Sequence, residues 1–175
     1  MKFLKNPALQ YLGVFAVITL ALFSVLATPW AQAGFVEPFT QSLVSITAFV
    51  VQPFDSRVQA AGNILQFSDG RGAVRVLSGC NAVEVCALLA AAILAFPGRL
   101  QACIIGAVVG VAALQFINLV RIITLLYLSR GSQPMFDFFH NYVWDAMIGL
   151  EGLLFFFLWA RWQGKSPAPR TAVAP

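Results

Sequence analysis

Apolar runs separated by short polar breaks dominate the chain, and their lengths sort its segments, since a helix needs roughly 20 apolar residues to cross about 30 Å of hydrocarbon. The run from about Ala8 to Thr28, behind Lys2 and Lys5, meets that length and reads as a first transmembrane helix. Ala31, Gln32 and Ala33 before Gly34 have the form of a signal-peptide cleavage site. The preceding apolar core is longer than the roughly 7–15 residues of such a signal, so an uncleaved anchor is expected. Phe39 to Phe54 is uncharged but short, carries Thr40, Gln41, Ser42, Ser45 and Thr47, and lies between Pro38 and Pro53. It reads as an interfacial or half-buried segment.

Further spans are expected from about Asn81 to Phe96, closed by Pro97, Gly98 and Arg99, from Leu100 to Leu128, and from about Tyr142 to Trp162. Ala102, Gly106 and Gly110 recur at four-residue spacing, the small-residue pattern that lets membrane helices approach closely. Between Arg57 and Gly79 the composition turns polar, and Asn63 to Phe67 and Ala73 to Leu77 flank Ser68, Asp69 and Gly70, a hairpin signal. The expectation is an all-α integral membrane protein of about four transmembrane helices, with an interfacial segment and a small extracytoplasmic hairpin. Its parts would be an anchor over 1–34, an extracytoplasmic and interfacial region over 35–79, a transmembrane core over 80–162 and a basic cytoplasmic tail over 163–175.

Composition sharpens this picture. Of 175 residues, 59% are hydrophobic and 10% charged, against roughly 45–50% and about 25% in a soluble domain. That excludes an ordinary soluble fold, and the size is too small for a transporter built from paired multi-helix repeats. The net charge of +4 points to topology and not to nucleic acid. Four spans leave Lys2, Lys5, Arg99, Arg161, Lys165 and Arg170 on one side with no acidic residue among them, which marks that side as cytoplasmic.

The same topology brings Cys80, Arg121 and His140 to one extracytoplasmic level. Cys80 lies in Leu77-Ser78-Gly79-Cys80-Asn81 at a strand-to-helix junction, where the amides and dipole of a helix start favour a thiolate. The bland alternative is a small hydrophobe, the reading given to Cys86 and Cys103 within uninterrupted apolar sequence. Arg121 either snorkels to the interface or is held at depth in the bundle, with Asn118 one turn before it on the same face. His140 is either an interfacial histidine or a proton acceptor near neutral pH. Glu84 and Asp145 could orient His140 or pair with Arg121, or simply join helices by hydrogen bonds, and Glu151 sits deeper. The three cysteines form no CxxC pair and no metal-ligand pattern with the single His140, so neither a metal nor another cofactor is expected.

Gly79-Cys80-Asn81-Ala82-Val83-Glu84, Asn118-Leu119-Val120-Arg121-Ile122 and His140 resemble the Cys, Asn-x-x-Arg and His signatures of the exosortase and archaeosortase family, most of all exosortase H. The resemblance covers about Val76 to Trp162, and Asn81-Ala82 departs from the Cys-Ser-Gly form common in the family. It implies a cysteine protease or transpeptidase of the bacterial inner membrane, with an extracytoplasmic active site. Its substrates would be membrane-anchored proteins ending in a short motif, an apolar helix and a basic cluster. In that reading Cys80 is the nucleophile, His140 the base and Arg121 the oxyanion partner, with Asn118, Glu84, Asp145 and Asn81 binding or orienting. The alternatives are a non-enzymatic membrane subunit and a quinone-linked thiol oxidoreductase, the latter needing a second thiol near Cys80.

Overall fold

A computed structural model describes residues 6–165; most of the expected tail, 163–175, lies outside the described residues. Helix α1, Pro7–Leu26, starts where the Asn6 side chain accepts from the Ala8 amide at 3.0 Å, with Pro7 in the first turn, where its missing N–H costs nothing. No residue of α1 is buried by protein, so an apolar helix of this kind needs lipid around it. Helix α2, Pro29–Val51, follows after one turn, with the Thr28 hydroxyl accepting from the Ala31 amide at 3.2 Å. It is α-helical except for a π-helical turn at Gln32–Val36.

Three antiparallel strands come next: β1, Val58–Ala61; β2, Ile64–Phe67; and β3, Ala73–Arg75, paired in that order. Val58 opposes Phe67 and Leu65 opposes Val74, which puts these four apolar side chains on one buried face. The expected hairpin is β2 and β3. Strand β1 was not expected, although the two-residue Gly62-Asn63 connection joining Ala61 to Ile64 is a recognised hairpin signal.

Helix α3 is Val83–Leu94, α4 is Leu100–Leu128, and α5 is Gln133–Gln163, interrupted by a π-helical turn at Phe139–Val143. The expected span from Asn81 to Phe96 is corrected here. Twelve residues in α3 reach about 18 Å, because a left-handed Ala82 delays the start of the helix and the Phe96-Pro97-Gly98 turn ends it early. Among the described residues four helices are nonetheless long and apolar enough to cross a membrane: α1, α2, α4 and α5. The segment expected to be a short interfacial piece therefore belongs to a 23-residue helix. Pro38 does not break it, because it falls in the first turn after the π-helical one.

Two cores result. One joins Leu43, Val44, Ala48 and Val51 of α2, the buried face of the sheet, Ile122, Leu125 and Leu126 of α4, and Trp144 of α5. The other joins Cys86, Leu89 and Ile93 of α3, Cys103, Ala107 and Leu114 of α4, and Ile148 and Trp159 of α5. At its far end Tyr11 and Trp159 both stack edge-on against Phe96, at 6.3 and 5.3 Å. The small-residue stripe on α4 works as expected: a Cβ at Gly106 would collide with the Trp159 indole, and one at Gly110 would come within 2.6 Å of Phe155.

Candidate active site

The chain leaves β3 through Val76, whose amide bonds the Asn63 carbonyl, and turns tightly, with the Cys80 amide donating to the Leu77 carbonyl at 2.9 Å. Gly79 (φ +88°) and Ala82 (φ +58°) both adopt left-handed conformations on either side of Cys80 and Asn81. For Ala82 this is an uncommon state of the kind that surrounding structure must enforce. Three side chains do so. Buried Asn81 donates to the Thr40 hydroxyl at 2.9 Å and accepts from the Val83 amide at 3.1 Å. Gln115 donates to the Asn81 carbonyl at 3.0 Å. Glu84, in the first turn of α3, accepts from the Gly79 amide at 3.3 Å.

On this loop the Cys80 sulfur stands 3.2 Å from His140 Nε2 and 4.0 Å from Arg121 Nη2. The three side chains come from a loop, from α4 and from the π-helical turn of α5, separated by 41 and 60 residues from Cys80. His140 lies flat against Phe136, ring centroids 5.7 Å apart and planes 8° from parallel, and its Nδ1 faces Asn141 Oδ1 at 3.0 Å. Arg121 is 1% exposed, yet its Nη2 reaches Asp145 at 2.8 Å, whose own side chain is 56% exposed. The cation is thus buried while its counter-charge faces outward, and Arg121 Nε and Nη1 are left without partners. A buried guanidinium with unused donors is costly unless something else accepts from them.

The residues singled out from the sequence fall into distinct places. Cys80, Arg121 and His140 converge. Asp145 pairs with Arg121 and has no bond to His140; Glu84 and Asn81 brace the Cys80 loop. Asn118 is fully buried one turn before Arg121, its amide 3.5 Å from Gln115 and its carbonyl oxygen unpartnered. Thr40, Gln115 and Asn141 had gone unmarked, and only the i, i+3 spacing of Gln115 and Asn118 offered a signal. Cys86 faces Gln115, and Cys103 donates to the Phe96 carbonyl at the opposite end of the bundle. All three cysteines are free. Among the described residues no group of three or more His, Cys, Asp or Glu side chains gathers to hold a metal.

A family model described as transmembrane exosortase (EpsH type) matches residues 8–160, taking in α1 and α2 as well as the motif-bearing half. Neither a curated protein nor a solved structure matches the chain.

Proposed function

The chain belongs to the transmembrane exosortase family, and from that premise we propose that it is a membrane cysteine transpeptidase cleaving the C-terminal sorting signals of exported proteins. The observation that carries this reading is the meeting of Cys80, His140 and Arg121 within 3.2 and 4.0 Å of the sulfur.

The chemistry follows from the geometry. The Cys80 proton passes to His140 Nε2, and the thiolate attacks the scissile carbonyl carbon, forming a C–S bond. The carbonyl oxygen takes the negative charge, and Arg121, whose Nε and Nη1 have no other partner, supplies hydrogen bonds to it. Collapse breaks the C–N bond, and His140 returns its proton to the departing amine. A thioacyl-enzyme remains. An acceptor nucleophile then attacks it and restores the thiol; water gives hydrolysis, and an amine or hydroxyl gives transfer. Asp145 neutralises Arg121 at rest and keeps its fork aligned.

In this reading the protein lies in a bacterial inner membrane with the Cys80 end extracytoplasmic, while Arg99 and Arg161 mark the cytoplasmic end. The substrate helix runs beside the bundle, and its basic cluster stays on the cytoplasmic side by the same charge rule. The test is co-expression of the chain, or its Cys80→Ala variant, with a reporter bearing a candidate sorting helix from the same organism. A mass change with the wild type and none with the variant is expected, and the mass of the new terminus distinguishes transfer from hydrolysis. Processing that survives Cys80→Ala refutes the nucleophile assignment.

A further inference from the structure

His140 and Asn141 are adjacent in sequence, and in a regular α-helix adjacent side chains diverge by about 100° and do not meet. They meet here within the π-helical turn Phe139–Val143, the kind of local widening that recurs at functional sites. Asn141 Oδ1 stands 3.0 Å from His140 Nδ1 while His140 Nε2 stands 3.2 Å from the Cys80 sulfur. Asn141 is exposed and His140 only half-buried, so this pairing is not a core contact. Phe136 fixes the plane of the imidazole ring, and the Asn141 oxygen fixes the remaining rotation within that plane.

We propose that Asn141 is the positioning residue for His140, completing a Cys80–His140–Asn141 relay; the proposal rests on the cysteine chemistry given above. The Asn141 oxygen accepts from Nδ1–H, which leaves the lone pair of Nε2 directed at the Cys80 thiol. When the Cys80 proton moves to Nε2, the ring becomes an imidazolium with Nδ1–H still bonded to Asn141 and Nε2–H bonded to the thiolate. No proton reaches Asn141. A neutral amide holds the ring without adding a negative charge, so the thiolate is the imidazolium's own counter-ion. Cys-His-Asn sets on unrelated folds perform cysteine proteolysis in this manner. Of the other charged groups nearby, Arg121 of α4 bonds Asp145 of α5 and also stands 4.0 Å from the Cys80 sulfur, in the wild type and the Asn141 variants alike, while Glu84 of α3 holds the Gly79 amide.

The test uses the full-length chain in lipid nanodiscs and follows carbamidomethylation of Cys80 by iodoacetamide from pH 5 to 9, read by peptide mass. Asn141→Ala is expected to slow the reaction at pH 7 by about tenfold, with an unchanged melting temperature. Asn141→Asp, which keeps the acceptor, restores the reactivity. In a His140→Ala background, Asn141→Ala has no further effect. A profile for Asn141→Ala that superimposes on the wild type, with His140→Ala altered, removes Asn141 from the relay and leaves the cysteine–histidine pair standing. An equal slowing in the His140→Ala background overturns the proposal as well, by making the effect structural. A wild-type profile in His140→Ala overturns the pair itself and the relay with it.

Discussion

At one end of the molecule Val58, Leu65, Phe67 and Val74 close over Val44, Ile122 and Leu126, while at the other Gly106 and Gly110 let Trp159 and Phe155 lie against the backbone of α4. The first region is organised as proteins are in water. Its apolar residues are collected in a core worth roughly 1.5–3 kcal/mol per fully buried large side chain, and its polar rim carries the Asp55–Arg57 and Asp69–Arg130 ion pairs, both at 2.9 Å. The second has large apolar side chains on its outside, among them Ile104, Val108, Leu153 and Phe157. Lipid gives it no hydrophobic reward for burial, so close packing over small residues holds it. Cys80, Arg121 and His140, the candidate catalytic residues, sit at the seam. Along α4, Leu114 belongs to the bundle core and Ile122 to the sheet-side core, with Asn118 and Arg121 between them. Along α5, His140 and Asp145 flank Trp144 of the sheet-side core, before Ile148 enters the bundle. A boundary between two solvents is where a cation and a thiol can be held out of water yet remain within reach of it.

The sharpest way to break this contrast is at the seam. Arg121→Lys keeps the charge but not the planar fork that bonds Asp145 and, in the proposed reaction, a developing oxyanion, so reporter processing should fall by about 10²-fold or more with insertion intact. Near-normal turnover would reduce Arg121 to an anchor between the two cores. Next comes the bundle. Gly106→Leu forces α4 away from Trp159 and should cost about 1–3 kcal/mol, read as a lower melting temperature in nanodiscs; an unchanged value would mean that close helix approach is not what holds this end. At the loop itself, Ala82→Val places a β-branched residue in a left-handed conformation. A penalty of about 1–3 kcal/mol and reduced processing are expected, whereas Ala82→Gly should process normally. The smallest effect belongs to the sheet. The Arg57 side chain holds the Asp55 carboxyl below its usual range, and the Arg71 amide does the same for Asp69. The resulting stabilisation is complete above the unfolded carboxylate value near about 3.9 and is lost as pH falls through the lower folded values. Amide exchange in β1 to β3 should therefore quicken below about pH 4 while that of α4 stays slow.

Where local chemistry decides, the sequence was legible. The limits of α4 at Leu100 and Leu128, the β2–β3 hairpin and the meeting of Cys80, Arg121 and His140 follow from span length, turn residues and charge side. Helix α3 was overestimated because apolarity continues through Asn81 to Phe96 while the backbone at Ala82 does not. That left-handed Ala82 occupies the place where the family's Cys-Ser-Gly form has glycine. Helix α2 was underestimated because Pro38 reads as a breaker unless the π-helical turn before it is known. Asn141 was invisible because immediate neighbours on a helix are not expected to face each other. Thr40 and Gln115 act on Asn81 from other elements, and nothing in their own surroundings marks them.

The brevity of α3 has one more consequence. A segment of about 18 Å connects the Cys80 loop to the turn at Arg99, where an average hydrocarbon layer is about 30 Å deep. Bilayers answer such a mismatch by thinning locally or by drawing polar headgroups inward. The membrane beside α3 should therefore be dimpled, carrying headgroups and water down towards the sulfur. In the proposed reaction, a scissile peptide just above a substrate's own helix would then meet the thiol without being pulled out of its lipid.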